Sequence, residues 1–403
     1  MLTTYHKPET RDDFEVAIIC ALPLEYDAVS YTFDEFWDDD GDDYGRVEGD
    51  LNNYTTGRIG KYNAVLALLP HMGKANAAGA AASMRSSYTR LKLVLLVGVC
   101  GGVPYDGHSE LFLGDVVISQ TVLQYDLERQ YLDKLVLKDT VEDNLGRPNK
   151  DVRNLVAIFQ TDRGRDKLNE RTSQILQQIQ TKVSGRRQRK YDYPRNTRDE
   201  VFDSNHRHKH YSSDICVCRK CLALTDPVCD AALSLSCADL GCVLGESSCL
   251  ARVRLQPLAD APPQPEIHVG MIASGDLVLK SAIDRDRLHK ETGAIAFEME
   301  GAGVWDETSC IIIKGLCDYA DSHKHKGWQN YAAATAASAS KAVLERYIRT
   351  DKTDTASKQE TTGATGDMAS SIGRTVFRGP ISGHNVVAGL TTTGGTSRLE
   401  FKS

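Results

Sequence analysis

Apolar residues first fall into short, continuous runs along the chain. Val16-Ala17-Ile18-Ile19-Cys20, Ala64 to Leu69, Leu93-Val94-Leu95-Leu96-Val97 and Gly114 to Ser119 lack the polar alternation of a strand with one wet face. Such runs are strands of a sheet covered on both sides. Between them, Pro23 opens a short helical turn carrying Glu25, and His71-Met72-Gly73 leads into an Ala-rich helix from Lys74 to Arg85. Strand and helix alternate, which predicts an α/β domain. This texture runs from Phe14 to about Tyr125, stops, and returns from Ile267 to Arg349. One domain over 14–349 is expected, interrupted by an insertion over 126–265.

The insertion is locally basic. It carries a helical stretch (Asn169 to Val183), the cluster Arg186-Arg187-Gln188-Arg189-Lys190, and a turn-rich boundary at Ala261-Pro262-Pro263-Gln264-Pro265. Residues 350–403 form a Thr/Ser/Gly-rich segment with too few apolar positions for a core, and a flexible tail is expected there. Lys341 to Arg349 reads as a solvated helix face, and Asp321 and Ser322 read as caps of the helix around Trp328 to Arg349.

Composition narrows the function classes. With 48 Lys+Arg against 55 Asp+Glu in 403 residues, the net charge is −7, and no overall field gathers a polyanion. No specific nucleic-acid binding is expected. No run of eighteen apolar residues exists, so no membrane span is expected. Met1 to Asp13 lacks the apolar core of a secretory signal. Four of the 11 cysteines (Cys20, Cys100, Cys310 and Cys317) border apolar runs as small buried hydrophobes. An intracellular, cytoplasmic location is expected.

Three acids lie just after strand-like runs, where open α/β sheets place their ligands. They are Glu25, Glu300 in Phe297-Glu298-Met299-Glu300-Gly301-Ala302, and Asp318 in Cys317-Asp318-Tyr319-Ala320-Asp321. The loop Gly98-Val99-Cys100-Gly101-Gly102 lets a ligand approach backbone amides. Each acid taken alone reads rather as a helix cap or a solvated loop charge.

Together with Leu22-Pro23-Leu24-Glu25, Gly73-Lys74-Ala75-Asn76-Ala77, Gly114-Asp115-Val116-Val117 and Ser274-Gly275-Asp276, these blocks resemble the purine nucleoside phosphorylase/uridine phosphorylase superfamily. The likeness is strongest to its nucleosidase-like side. The whole chain also resembles a fungal branch with a Cys/His-rich insertion, whose members often serve as effector domains of immune-type receptors. The resemblance implies a nucleoside phosphorylase-like mixed central sheet flanked by helices, with an irregular insertion. It implies cleavage of a ribose–base bond, with Asp318 as the acid at purine N7. Burial would have to raise the Asp318 pKa for that role. Glu300 would hold the ribose hydroxyls with Met299 under the sugar, and Glu25 would activate the water. Glu298, Val99, Cys100, Gly101, Ser274 and Val278 are the further substrate-contacting candidates. Val278 stands where the family usually carries a base-stacking aromatic.

Phosphorolysis needs cations around a phosphate. The places where phosphorylases carry arginines hold Glu25 and Leu96 here, which favours hydrolysis. A phosphorylase and a catalytically silent nucleoside-binding signalling module are the alternatives. The expected partners are a purine nucleoside or nucleotide and further copies of the chain. Arg207-His208-Lys209-His210 and Lys324-His325-Lys326 could hold a 5′ phosphate chain, ATP included, and Lys324 is the substrate-contacting candidate among them. No cofactor is needed for this chemistry. A structural zinc is the metal that the cysteine pattern admits, with Cys218, Cys221, Cys229 and His210 as ligands; a metal-free reduced insertion, or local disulfides, is the other reading.

Overall fold

The computed structural model describes residues 6–348 apart from 134, 139, 141, 185–188, 213–215, 224–225, 243–248 and 253–262. The tail and most of the Arg186–Lys190 cluster therefore lie outside the described residues. Six strands come first: β1 (Val16–Cys20), β2 (Glu35–Phe36), β3 (Tyr54–Ile59), β4 (Tyr62–Leu68), β5 (Leu93–Gly102) and β6 (Val116–Gln124). Two short antiparallel pairs follow, β7 (Glu128–Gln130) with β8 (Leu135–Leu137) and β9 (Asp199–Phe202) with β10 (Cys249–Arg252). The last three are β11 (Ile267–Ser274), β12 (Ala294–Glu298) and β13 (Cys310–Asp318).

Among the described residues, nine strands form one mixed sheet in the order β12-β11-β6-β13-β5-β1-β4-β3-β2. β1 runs parallel to both β4 and β5, whereas β13 is parallel to β5 and antiparallel to β6. β12 also returns to β5 through Ala296 and Phe297 opposite Gly102 and Gly101, so five strands close into a ring.

The continuous apolar runs are explained by two cores. Leu93, Leu95 and Val97 of β5 join one, and Val94 and Leu96 join the other. The first core is closed by α1 (Pro23–Ser30), α3 (Lys150–Phe159), α4 (Asp162–Ser184) and α8 (Gln329–Arg346); the second by α2 (Lys74–Ser87) and α7 (Gly301–Glu307). The remaining helices are α5 (Cys237–Leu240) and α6 (Ala282–Thr292). Val152, Phe159, Ile175 and Ile179 place α3 and α4 in the first core, so the early part of the basic segment is built into the domain.

α8 corrects one expectation. Its residues from Tyr331 to Leu344 are buried, and Lys341 is no solvated charge: its Nζ donates to Thr32 O at 2.7 Å and Asp34 Oδ1 at 2.5 Å. The cap assignment changes too. Asp321 Oδ1 accepts the His323 N–H, and His325 caps the turn that precedes α8.

Candidate active site

The ends of β1, β5, β12 and β13 border a cleft of about 320 Å³. Glu25, Val99, Cys100, Gly101, Val278, Glu298, Met299, Glu300, Asp318 and Lys324 all line it. Ser274 does not. Its hydroxyl is fully buried and accepts the Ala302 N–H at 2.9 Å, holding the start of α7 behind the wall.

Glu25 is both a helix cap and a cleft residue. Pro23 at the first turn of α1 fixes the backbone, and Glu25 Oε2 accepts the Ala21 and Leu22 N–H groups at 2.9 Å each. Oε1 accepts the Val99 N–H at 2.8 Å. Burial pushes its carboxyl above the ordinary glutamate range and Glu300 adds to the rise, against Lys314 and the Val99 and Leu22 amides. The glycines in the last part of β5 make room for these acids. A Cβ on Gly98 would overlap the Glu25 carboxylate, and one on Gly101 would lie 2.8 Å from Asp318 Oδ1.

Asp318 ends β13 beyond a register shift between Leu316 and Asp318, which re-aims its side chain. Oδ1 accepts the Ala320 N–H at 2.9 Å. Ala320 has φ 51, a left-handed conformation that costs a residue with a Cβ about 1–2 kcal/mol. Strain of this kind persists where the surroundings impose it, often at a functional site. Lys324 Nζ stands 3.6 Å from Asp318 Oδ2, so this cation answers Asp318.

Sequence reasoning missed the buried cation behind the site's glutamates. Lys314 is fully buried in β13 with its Nζ 3.1 Å from Glu300 Oε2 and 3.3 Å from Glu298 Oε2. Burial alone would lower its pKa, but Glu300, Glu298 and Glu25 outweigh burial and raise it, so it stays charged. The signal was a lysine inside Ile311-Ile312-Ile313-Lys314-Gly315-Leu316, a position that water cannot reach. Glu298 is largely spent on structure: its oxygens accept the Gly301 N–H at 2.9 and 3.0 Å and the Glu300 N–H at 3.1 Å. Glu300 Oε1 accepts the Gly73 N–H at 3.3 Å.

Aromatic wall residues were missed as well. Phe297 and Tyr125 line the cleft and meet edge to face, and the Tyr125 hydroxyl donates to Leu277 O at 2.6 Å. Leu277 and Val278 are exposed beside them at the rim. Burial pushes the Cys100 and Cys317 thiols of the wall upward, so neither is a thiolate nucleophile.

The insertion's basic cluster does not reach the cleft. The Arg207 guanidinium bonds the carbonyls of Ala223 and Asp226, and Lys209 Nζ bonds those of Arg219 and Cys221. His210, Cys218 and Cys229 come together as expected, but Cys216 joins them in place of Cys221. The Cys221 thiol instead faces the Pro227 carbonyl at 3.2 Å. A second group comprises His208, Cys237 and Cys242. All cysteines are unbridged.

No helix among the described residues is long and apolar enough to cross a membrane. A Hyaloscypha variabilis protein called a nucleotide-binding leucine-rich repeat (NLR)-like protein is 29 % identical over 339 residues, 83 % of this chain and 29 % of the relative. A 5′-methylthioadenosine/S-adenosylhomocysteine nucleosidase of Mycobacterium bovis is 33 % identical over 86 residues, 20 % of this chain and 34 % of that one. The matches thus span about a third or less of these relatives' lengths. The native structure of Helicobacter pylori futalosine hydrolase is similar with a TM-score of 0.47 and 15 % identity, covering 83 % of this chain and 98 % of that one. Residues 15–163 match the model of the phosphorylase superfamily.

Proposed function

We propose that the chain hydrolyses the N-glycosidic bond of a purine nucleoside or nucleotide. One observation carries this reading: Glu25, Glu298 and Glu300 line the cleft together with Asp318, and a buried cation, Lys314, stands behind the three glutamates. Cleavage moves the bonding electron pair onto the base and leaves positive charge on the sugar. The carboxylates stabilise that charge in a site shielded from water. Asp318, in its protonated form, donates a proton or hydrogen bond to N7 of the departing purine. Glu25 takes a proton from the attacking water, whose oxygen bonds the anomeric carbon. The rise in the Glu25 pKa brings it nearer the operating range of a general base.

Hydrolysis is favoured over phosphorolysis on charge. A phosphate dianion beside these carboxylates would be repelled, and Lys314 already answers two of them. The nucleosidase named among the relatives supports glycosidic cleavage as the reaction class.

A nucleotide substrate is the second reading, favoured by Lys280, His325 and Lys326 on the cleft wall. These three are the candidates for a 5′ phosphate chain, since Lys324 faces Asp318 and the Arg207–His210 cluster is bonded within the insertion. Incubation with adenosine, methylthioadenosine, AMP and ATP, with and without phosphate, tests both readings. Free base from at least one substrate without phosphate is expected. Untouched ATP alongside efficient cleavage of methylthioadenosine would reject the nucleotide reading, and no release from any would reject the enzyme in favour of a silent binding module.

A further inference from the structure

The insertion between β9 and β10 has little apolar material to hold it. Its own core consists of Phe202, Ala232, Leu240 and Cys242, with a few half-buried neighbours. A segment this poor in buried side chains needs another organiser. Two clusters of His and Cys ligands sit in it, one nested inside the other in sequence: His210, Cys216, Cys218 and Cys229 all fall between His208 and Cys237 of the second.

The first cluster has the dimensions of a tetrahedral zinc site. Zinc–sulfur bonds of about 2.3 Å put the ligand atoms about 3.8 Å apart along the tetrahedron's edges, slightly less where one ligand is nitrogen. The Sγ atoms of Cys216 and Cys218 are 3.3 Å apart, Cys216 and Cys229 3.6 Å, and Cys218 and Cys229 3.8 Å. His210 Nδ1 lies 3.3 Å from the Cys218 sulfur and 3.5 Å from that of Cys229. These separations are far beyond the roughly 2.05 Å of a disulfide. Three thiolates and an imidazole select zinc among common divalent metals.

The second cluster stands on separate distances. His208 Nδ1 is 3.5 Å from the Cys242 sulfur and 3.7 Å from that of Cys237. The fold brings these sulfurs together because Ser236 caps the short helix α5 and Gly241 ends it in a left-handed turn just before Cys242. This cluster abuts the loop that carries Asp318 and Lys324. The Cys237 sulfur sits 3.7 Å from His323 O, and His208 meets the His323 ring edge-on at 5.3 Å between centroids.

We propose that the insertion binds two zinc ions, one held by His210, Cys216, Cys218 and Cys229 and the other by His208, Cys237 and Cys242, the second fastening the insertion against the Asp318–Lys324 loop. Binding displaces the thiol protons and makes zinc part of the folding free energy of the insertion.

The test is metal content of the full chain, expressed in zinc-supplemented medium, desalted and measured by elemental mass spectrometry. Two zinc ions per chain are expected in the parent protein, one in Cys216→Ser, one in Cys242→Ser and two in Cys221→Ser. Cobalt substitution should add intense thiolate-to-metal absorption that Cys216→Ser weakens, a readout that does not depend on activity. Absence of zinc, or full zinc content in Cys216→Ser, overturns the first site. A single ion lost with Cys216→Ser but kept in Cys242→Ser overturns the second. Thiol titration showing these cysteines paired as disulfides overturns both.

Discussion

A lysine with no exposed surface between two glutamates is stable only as a set. Removing Lys314 leaves Glu298 and Glu300 buried without their cation, and breaking such a buried set costs about 3–5 kcal/mol. Lys314→Met should therefore lower unfolding free energy by that order in urea titration, while Lys314→Arg should lose less. Asp318→Asn belongs to another class: it should fold normally by circular dichroism yet turn over about 10²-fold more slowly or worse, the loss expected for a positioned acid. Near-normal turnover in Asp318→Asn would remove the assignment. For Glu25, burial raises the carboxyl pKa, so its base form is lost early as pH falls. The acid limb of kcat/KM should lie above the ordinary glutamate range, and Glu25→Gln should abolish most activity. An acid limb in the ordinary range would contradict Glu25 as the base. Glu25, Glu300 and Asp318 were legible because strand-end acids are conspicuous in sequence. Ser274 and Glu298 looked equally placed, but their work at the start of α7 depends on a backbone that no motif displays.

At the scale of elements, close approach of backbones sets the geometry of the site. α7 crosses α2 at Gly303, where a Cβ would press on the Lys74 carbonyl and lie 3.0 Å from the Ala78 nitrogen. This crossing fixes the helix whose start holds Glu298 and Glu300. Gly303→Ala should cost about 1–3 kcal/mol by overpacking, measured as a lower thermal midpoint. Gly98→Ala should act on rate instead, because its Cβ would displace the Glu25 carboxylate; kcat should fall with the fold intact by near-ultraviolet dichroism. The expected strand at Val16–Cys20 is β1 itself, and the Ala-rich helix extends only two residues beyond the expected end. β5 was expected to stop at Gly98 and runs on to Gly102, because its glycines pair with β12 and β13. Lys341 misled for a related reason. A charged residue on an Ala-rich helix looks solvated until the helix proves to be buried between the sheet and its neighbours.

On the scale of the whole molecule, a two-sided α/β layer carries the cleft, and a Cys/His-rich insertion leans on one of its loops. The α/β texture before Tyr125 and after Ile267 was readable because continuous apolar runs report two-sided burial. The insertion was harder, since sulfur clustering depends on turns rather than on periodicity; Cys218 and Cys221 looked paired by spacing, yet Cys216 is the residue whose sulfur meets Cys218. Hydrolysis is tested most directly by the origin of the new oxygen on the sugar. The protein should be incubated in ¹⁸O-water, without phosphate, with whichever nucleoside or nucleotide it cleaves, and the products analysed promptly by mass spectrometry alongside an unlabelled-sugar control for exchange. Free purine and a sugar, or sugar phosphate, with one ¹⁸O at the anomeric position in excess of the control are expected. Cleavage only when inorganic phosphate is present, yielding a sugar-1-phosphate, would contradict hydrolysis.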